Sequence, residues 1–121
     1  MENSNIFDLA RQLMAIPSVS GKEMEVGDFL ASRLAALGYR VEKQEVDPGR
    51  FNVIAYAGKP RVLFCTHIDT VPLMLPVRED ESFLYGRGAC DTKGIIAAML
   101  EAGDRLRKGG IQDFGYLLVV G

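Results

Sequence analysis

The sequence is poor in the residues that build covalent or multi-ligand frameworks: 121 residues include two cysteines and one histidine. Two cysteines cannot form the disulfide scaffold of a small secreted domain. One histidine excludes any site assembled from several histidines of this chain. Positive charge is not in excess, because 14 Lys and Arg face 16 Asp and Glu for a net charge of -2. That removes the broad cationic field on which nucleic-acid and anionic-membrane partners depend. No apolar run approaches the roughly 18 residues of a membrane span. The opening Met1-Glu2-Asn3-Ser4-Asn5 is polar and lacks the basic stretch and apolar core of a secretory signal. Cys65 and Cys90 are therefore expected to be reduced thiols of a cytoplasmic protein.

What is present is an ordinary globular composition, 48% hydrophobic and 25% charged, at a length near one domain. Ile6, Leu9, Ala10, Leu13 and Met14 recur at helical spacing, so residues 5–15 read as an amphipathic helix that Pro17 ends. Ser20-Gly21-Lys22-Glu23 matches a capping box ahead of a second helix. Its apolar face would be Val26, Phe29, Leu30, Leu34 and Leu37, with Gly38 as the C-terminal cap. Residues 39–46 suit an exposed or edge strand, Asp47-Pro48-Gly49 a turn, and 52–57 a second strand. Val62-Leu63-Phe64-Cys65 is a continuous apolar run, the pattern of a strand buried on both faces. Residues 67–88 are mostly loop, with a short strand at 83–85. A third helix spans 93–107, its buried face formed by Ile95, Ile96, Met99, Leu100, Gly103 and Leu106. A last strand covers 115–120, and its apolar end at Gly121 predicts that the natural polypeptide continues. The fold class is α/β, a mixed sheet covered by helices.

Two segments carry candidate chemistry. His67 directly follows the apolar strand and Asp69 lies two residues on, so in extended backbone both point the same way. They would share the strand's C-terminal end, where open α/β sheets hold ligands. A carboxylate there can bind one ring nitrogen and leave the other for a metal. The alternative is a solvated histidine in a polar loop, since His-x-Asp is a short motif. The second segment is Tyr85-Gly86-Arg87-Gly88-Ala89-Cys90-Asp91-Thr92-Lys93-Gly94. A P-loop needs glycine before its lysine, where Thr92 stands. A dinucleotide fingerprint needs a third glycine where Asp91 stands. Asp91 is either a helix N-cap or a metal-bridging carboxylate. Cys90 is a soft ligand or inert packing, and Arg87 and Lys93 read as structural or surface charges.

Together, Val62-Leu63-Phe64-Cys65-Thr66-His67-Ile68-Asp69-Thr70-Val71-Pro72 and Tyr85 to Gly94 closely resemble the dizinc aminoacylase and carboxypeptidase family. That family includes acetylornithine deacetylase, succinyl-diaminopimelate desuccinylase and carboxypeptidase G. Ser18-Val19-Ser20-Gly21 and Asn52-Val53-Ile54-Ala55 are similar to it as well, and acetylornithine-deacetylase-like members are nearest in look.

The resemblance implies a zinc-peptidase-like catalytic domain of which residues 1–121 are the N-terminal part. It implies that His67 and Asp91 are metal ligands, with Asp91 bridging two zinc ions, and that Asp69 orients and polarises His67. Cobalt or manganese could replace zinc. It also implies a cis peptide bond between Asp91 and Thr92. The reaction implied is hydrolysis of the amide bond of an N-acylated amino acid or short peptide, as in amino-acid biosynthesis. Two metals about 3.5–4 Å apart suit that chemistry. In the family, a Glu-Glu pair supplying the general base and a ligand follows the last strand. Further ligands and a dimerisation domain, which make the full-length family member a homodimer, lie later still. None is in these 121 residues, so the chain alone is expected to be inactive and to bind zinc weakly. Its sheet edge and the apolar faces of Leu117 and Val119 would then favour self-association. The competing expectation is a non-catalytic interaction module of the same fold. A nucleotide-binding domain is disfavoured by both failed glycine motifs.

Overall fold

The computed structural model describes residues 2–121, with side chains from Ile6 onward. Its elements are α1 (Glu2–Met14), α2 (Met24–Ala36), β1 (Arg40–Asp47), β2 (Arg50–Tyr56), β3 (Val62–His67), β4 (Arg78–Glu79), β5 (Leu84–Tyr85), α3 (Lys93–Lys108) and β6 (Phe114–Val119). The fold is the mixed α/β arrangement expected. The main sheet runs β1-β2-β6-β3. β1 and β2 form an antiparallel hairpin turned at Pro48-Gly49, where Gly49 adopts φ 74. β6 then pairs antiparallel with β2 and parallel with β3.

Period-two alternation explains the central strands. Phe51, Val53 and Ala55 of β2 and Phe114, Tyr116 and Leu118 of β6 are all buried, while their neighbours Asn52, Ile54 and Leu117 are half-buried. α2 packs on β1 and β2, and α3 packs on α1 and β3. Leu9, Leu13, Val26, Leu30, Leu34, Ile96 and Leu100 from the helices join these strands in one core. Gly103 lets α3 approach the sheet: a Cβ there would stand 1.6 Å from the Tyr116 hydroxyl.

Several expectations are corrected. The run Val62–Cys65 is not buried on both faces: Val62 is 56% and Leu63 50% exposed. β3 is the last strand of the sheet order and pairs only with β6, and the face that carries Leu63 and Cys65 is exposed. Conversely, Leu117 and Val119 are half-buried, because β6 lies inside the sheet with a partner on each side. The α3 face is rotated from the one expected. Lys93 and Ala97 are buried with Ile96, Leu100 and Gly103, whereas Ile95 is exposed. On α2, Leu37 is exposed and Gly27 and Ala31 are buried. The loop 67–88 also holds an unanticipated two-residue strand, β4, paired antiparallel with β5.

The capping box is absent as well. α2 starts at Met24 with Glu23 as N-cap, and no side-chain cap hydrogen bond forms. Ser20 and Glu23 are drawn to stronger partners outside the helix, described below.

Candidate metal centre

Backbone pairing sets where the two candidate segments meet. β3 keeps its parallel register through His67 opposite Val119, and the Ile68 amide still donates to the Val119 carbonyl at 2.8 Å. The chain then changes partner. Thr70 N–H donates to Ser18 O at 2.9 Å and Ser20 N–H to Thr70 O at 3.1 Å. Ser18, fully buried, donates its hydroxyl to Ile68 O at 2.9 Å. Residues 18–20 therefore act as a short strand beside 68–70, and His67 and Asp69 stand at the C-terminal end of β3 as expected.

Asp91 approaches from the other side, two residues before α3. The Asp91–Thr92 peptide bond is cis. The Thr92 hydroxyl donates to the His67 carbonyl, which ties the start of α3 to the end of β3. Thr92, not Asp91, is the N-cap of α3. Asp91 instead turns its carboxylate to the imidazole.

The result is a chain of contacts through one ring. His67 Nδ1 lies 2.8 Å from Asp69 Oδ1 and 3.0 Å from the Asp69 carbonyl oxygen. His67 Nε2 lies 2.9 Å from Asp91 Oδ1. Burial pushes the imidazole pKa down, but hydrogen bonds to the Asp91 carboxylate and to Asp69 outweigh it and raise it above the ordinary value. Asp69 is mostly buried, whereas the Asp91 carboxylate is 75% exposed. The structure thus brings all three sequence-selected residues together, with one imidazole nitrogen and one carboxylate oxygen facing each other at the open side.

That donor set, neutral imidazole plus carboxylate, suits a borderline divalent cation such as zinc, and the Nδ1 contact to Asp69 is the outer-shell partner such a ligand uses. Two residues, His67 and Asp91, could donate. Among the described residues, no cluster of three or more His, Cys, Asp or Glu is placed to hold a metal. A cleft of about 400 Å³ opens beside Asp91, lined by Val71, Leu75, Leu84, Tyr85, Arg87 and Cys90 among others.

The remaining candidates sort by contact. Cys90 is not inert packing: it is exposed, and both thiols are free. Lys93 is not a surface charge. It is 1% exposed, its ammonium donates to Ile16 O at 2.5 Å, and burial lowers its pKa to about 8. Arg87 donates to Leu73 O at 2.9 Å and so braces the loop. Among the acidic loop residues, Glu79 pairs with Arg11 at 2.6 Å, and Asp80 accepts from the Ser82 and Phe83 amides and the Tyr85 hydroxyl.

Sequence reasoning missed four residues around the site: Ser20, Glu23, Arg50 and Thr92. Ser20 donates its hydroxyl to Asp69 Oδ2. Glu23, fully buried, takes two hydrogen bonds from Arg50 at 3.0 and 2.8 Å and one from the Gly121 amide at 2.9 Å. Burial pushes the Glu23 carboxyl up, but Arg50 and the Gly121 and Gly21 amides overcome this and hold it at about 2. The capping-box pattern assigned Ser20 and Glu23 to the helix, and the family likeness of Ser18-Val19-Ser20-Gly21 marked that segment without giving Ser20 a role.

Residues 63–120 match the sequence profile of peptidase family M20/M25/M40. These residues form an M20 peptidase segment. The surrounding chain extends the likeness. A probable carboxypeptidase of Emericella nidulans is 42% identical over 114 residues, which are 84% of this chain and 27% of that protein. A peptidase M20 domain-containing protein of Schizosaccharomyces pombe is 39% identical over 126 residues, 97% of this chain and 32% of the relative. The chain thus spans about a third of the length of the curated relatives it matches. Among solved structures, a tripeptidase from Staphylococcus aureus superposes with a TM-score of 0.83 at 24% identity, covering 98% of this chain and 36% of that one. An M20 family metallo-carboxypeptidase from Sulfolobus solfataricus gives 0.77 at 22% identity, over 94% and 29%. At those identities the two structures speak for the M20 fold alone.

No helix among the described residues is long and apolar enough to cross a membrane.

Proposed function

We propose that residues 1–121 supply the N-terminal part of the catalytic domain of a metal-dependent M20 amide hydrolase. The observation that carries this reading is the convergence of His67 Nε2 and Asp91 Oδ1, 2.9 Å apart, with His67 Nδ1 already engaged by Asp69. In this reading His67 and Asp91 would hold the metal, and Asp69 is a positioning residue that acts through His67. These two residues would hold a divalent ion, zinc before cobalt or manganese, whose chemistry there would be Lewis-acid polarisation of an amide carbonyl.

The chain's own groups do the rest of what these residues can do. Asp69 accepts the proton on His67 Nδ1, which fixes the tautomer so that Nε2, which faces Asp91, is the nitrogen that would bind metal once its own proton is lost. Thr92 holds His67 from its carbonyl side, so ring and carboxylate approach in one geometry. The cleft beside Asp91 offers apolar walls from Val71, Leu75 and Leu84 for the side chain of a bound substrate. The general base and further ligands would come from residues outside this chain. The names of the curated relatives favour a short peptide cut at its C-terminal residue. Removal of an acyl group from an amino acid such as acetylornithine is the finer alternative. A cytoplasmic homodimer is the expected working form.

The test is a panel of short peptides and N-acyl amino acids assayed on a chain of the relatives' full length, with zinc restored. Activity that falls by at least about 100-fold in His67→Ala, and by about 10–100-fold in Asp69→Asn, is expected. Wild-type turnover in His67→Ala would refute the ligand assignment. No turnover of any substrate by the metal-loaded long chain would favour a non-catalytic module, the reading that the two-donor count favours for this chain alone.

A further inference from the structure

The turn between α1 and α2 does something other than start a helix. Ser18, Val19 and Ser20 bond to Ile68 and Thr70 through the Ser18 hydroxyl, a Val19–Thr70 bridge and two backbone hydrogen bonds. This places the Ser20 hydroxyl against Asp69. The Asp69 carboxylate then has divided duties: Oδ2 accepts from Ser20, and Oδ1 lies 2.8 Å from His67 Nδ1. A carboxylate with one oxygen tethered cannot rotate without breaking that tether, so the tether sets the plane in which the other oxygen meets the imidazole.

A second contact presses on the same oxygen. Gly121 packs so closely on Asp69 that a Cβ there would stand 2.1 Å from Oδ2. Gly121 is gripped at both backbone polar groups: Glu23 accepts its N–H at 2.9 Å, and Arg50 donates to its carbonyl. Glu23 and Arg50 are joined to each other by two hydrogen bonds. The segment from Ser18 to Glu23 therefore supports Asp69 directly through Ser20 and indirectly through Gly121.

Taking His67 as a metal ligand, as proposed above, we propose that Ser20 is a positioning residue that orients the Asp69 carboxylate toward His67 Nδ1. The Ser20 hydroxyl donates to Asp69, with the Thr70 carbonyl 3.5 Å away, so its effect on His67 passes through Asp69.

The test uses the single histidine as a reporter. His67 is the only source of imidazole signals in this chain, so its Nδ1–H resonance in a nitrogen-15 NMR spectrum needs no assignment by mutation. The 121-residue chain is compared as wild type, Ser20→Ala and Ser20→Thr, without metal, with thermal unfolding measured on each. The expected result is that Ser20→Ala speeds solvent exchange of the His67 Nδ1–H by about fivefold or more, while exchange of core amides of β2 and β6 stays at the wild-type rate. Ser20→Thr, which keeps the hydroxyl, restores the slow exchange. Unchanged Nδ1–H exchange in Ser20→Ala would overturn the proposal. So would equal acceleration of the Nδ1–H and the core amides, because the residue would then serve stability alone. Asp69→Asn serves as the positive control, since it removes the charged acceptor itself. The measurement needs neither metal nor turnover, so its failure is separate from failure of the hydrolase reading.

Discussion

Replacing Glu23 by Gln is expected to remove a pH-dependent part of the stability. The carboxylate is fully buried and sits at about 2, against an ordinary value of 4.5. A carboxyl whose folded value is depressed stabilises the native state above its unfolded value and loses that contribution as pH falls toward the folded value. For Glu23 the window runs from about 4.5 down to about 2. Linkage over that window gives about 2 kcal/mol lost between pH 7 and pH 3, and about 3 kcal/mol in total. Gln keeps the volume but leaves Arg50 without its charge partner. Arg50 retains some solvent access, 22% of its side chain, so the cost at pH 7 is expected near 2–3 kcal/mol, at or below the lower end for a broken buried pair. The assay is urea unfolding of wild type and Glu23→Gln at a series of pH values from 7 to 3. Exposed carboxylates such as Glu79 and Asp80 titrate alike in both proteins, so the difference isolates Glu23. Two parallel stability–pH curves would refute the reasoning, because they would mean that Glu23 is not held ionised by Arg50 and the Gly121 amide.

Other outcomes follow from the same geometry. Calorimetric titration of the 121-residue chain with zinc is expected to show weak binding that His67→Ala and Asp91→Asn each abolish; a tight two-ion site would overturn the two-donor reading. The same chain is expected not to cleave peptides or N-acyl amino acids, and turnover that tracks the purified chain would contradict the proposed division of the site. Gly103→Ala is expected to cost about 1–3 kcal/mol in chemical denaturation, because its methyl group would overlap the Tyr116 hydroxyl. Stability within about 0.5 kcal/mol of wild type would show that α3 can shift away freely. The exposed β3 edge with Val62 and Leu63 is expected to drive concentration-dependent association, reduced in Leu63→Lys; sedimentation showing the wild type monomeric at all concentrations would count against it.

Much of the fold was legible because its signals are local. The 3.6-residue pattern of Leu9, Leu13 and Met14, the proline at position 17 and the turn at Pro48-Gly49 all mark element limits within a few residues. The errors arose where placement depends on distant sequence. Val62–Cys65 has the composition of a doubly covered strand, yet its burial depends on its place in the sheet order, which no local pattern encodes. Ser20 and Glu23 fit a helix cap in spacing, but Asp69, Arg50 and Gly121 offered them charged or backbone partners, and charge-assisted bonds outcompeted the cap. Lys93 could be read as either a structural or a surface charge, because its partner, the Ile16 carbonyl, is met only after α1 has packed on α3. His67, Asp69 and Asp91 were singled out by the resemblance of their two segments to one family, since spacing alone left His67 and Asp91 open, and their meeting has a topological cause. Each lies at the end or start of an element that local signals define, and the parallel β3–β6 pairing leaves those ends on one side.

The position of β6 also sets a timetable. The β1–β2 hairpin and β3 touch only through β6, which begins 58 residues after β2 ends. At a synthesis rate of about 5–20 residues per second, the finished hairpin waits about 3–12 s for the strand that joins it to β3. During that interval β2 and β3 each present an unpaired edge. The polar, charged β1 and the lysine and proline just before β3 guard only the outer flanks. A nascent chain of this sequence is therefore exposed to mispairing in the seconds before β6 emerges, and a chaperone that binds extended apolar segments would find Val62–Phe64 before β6 does.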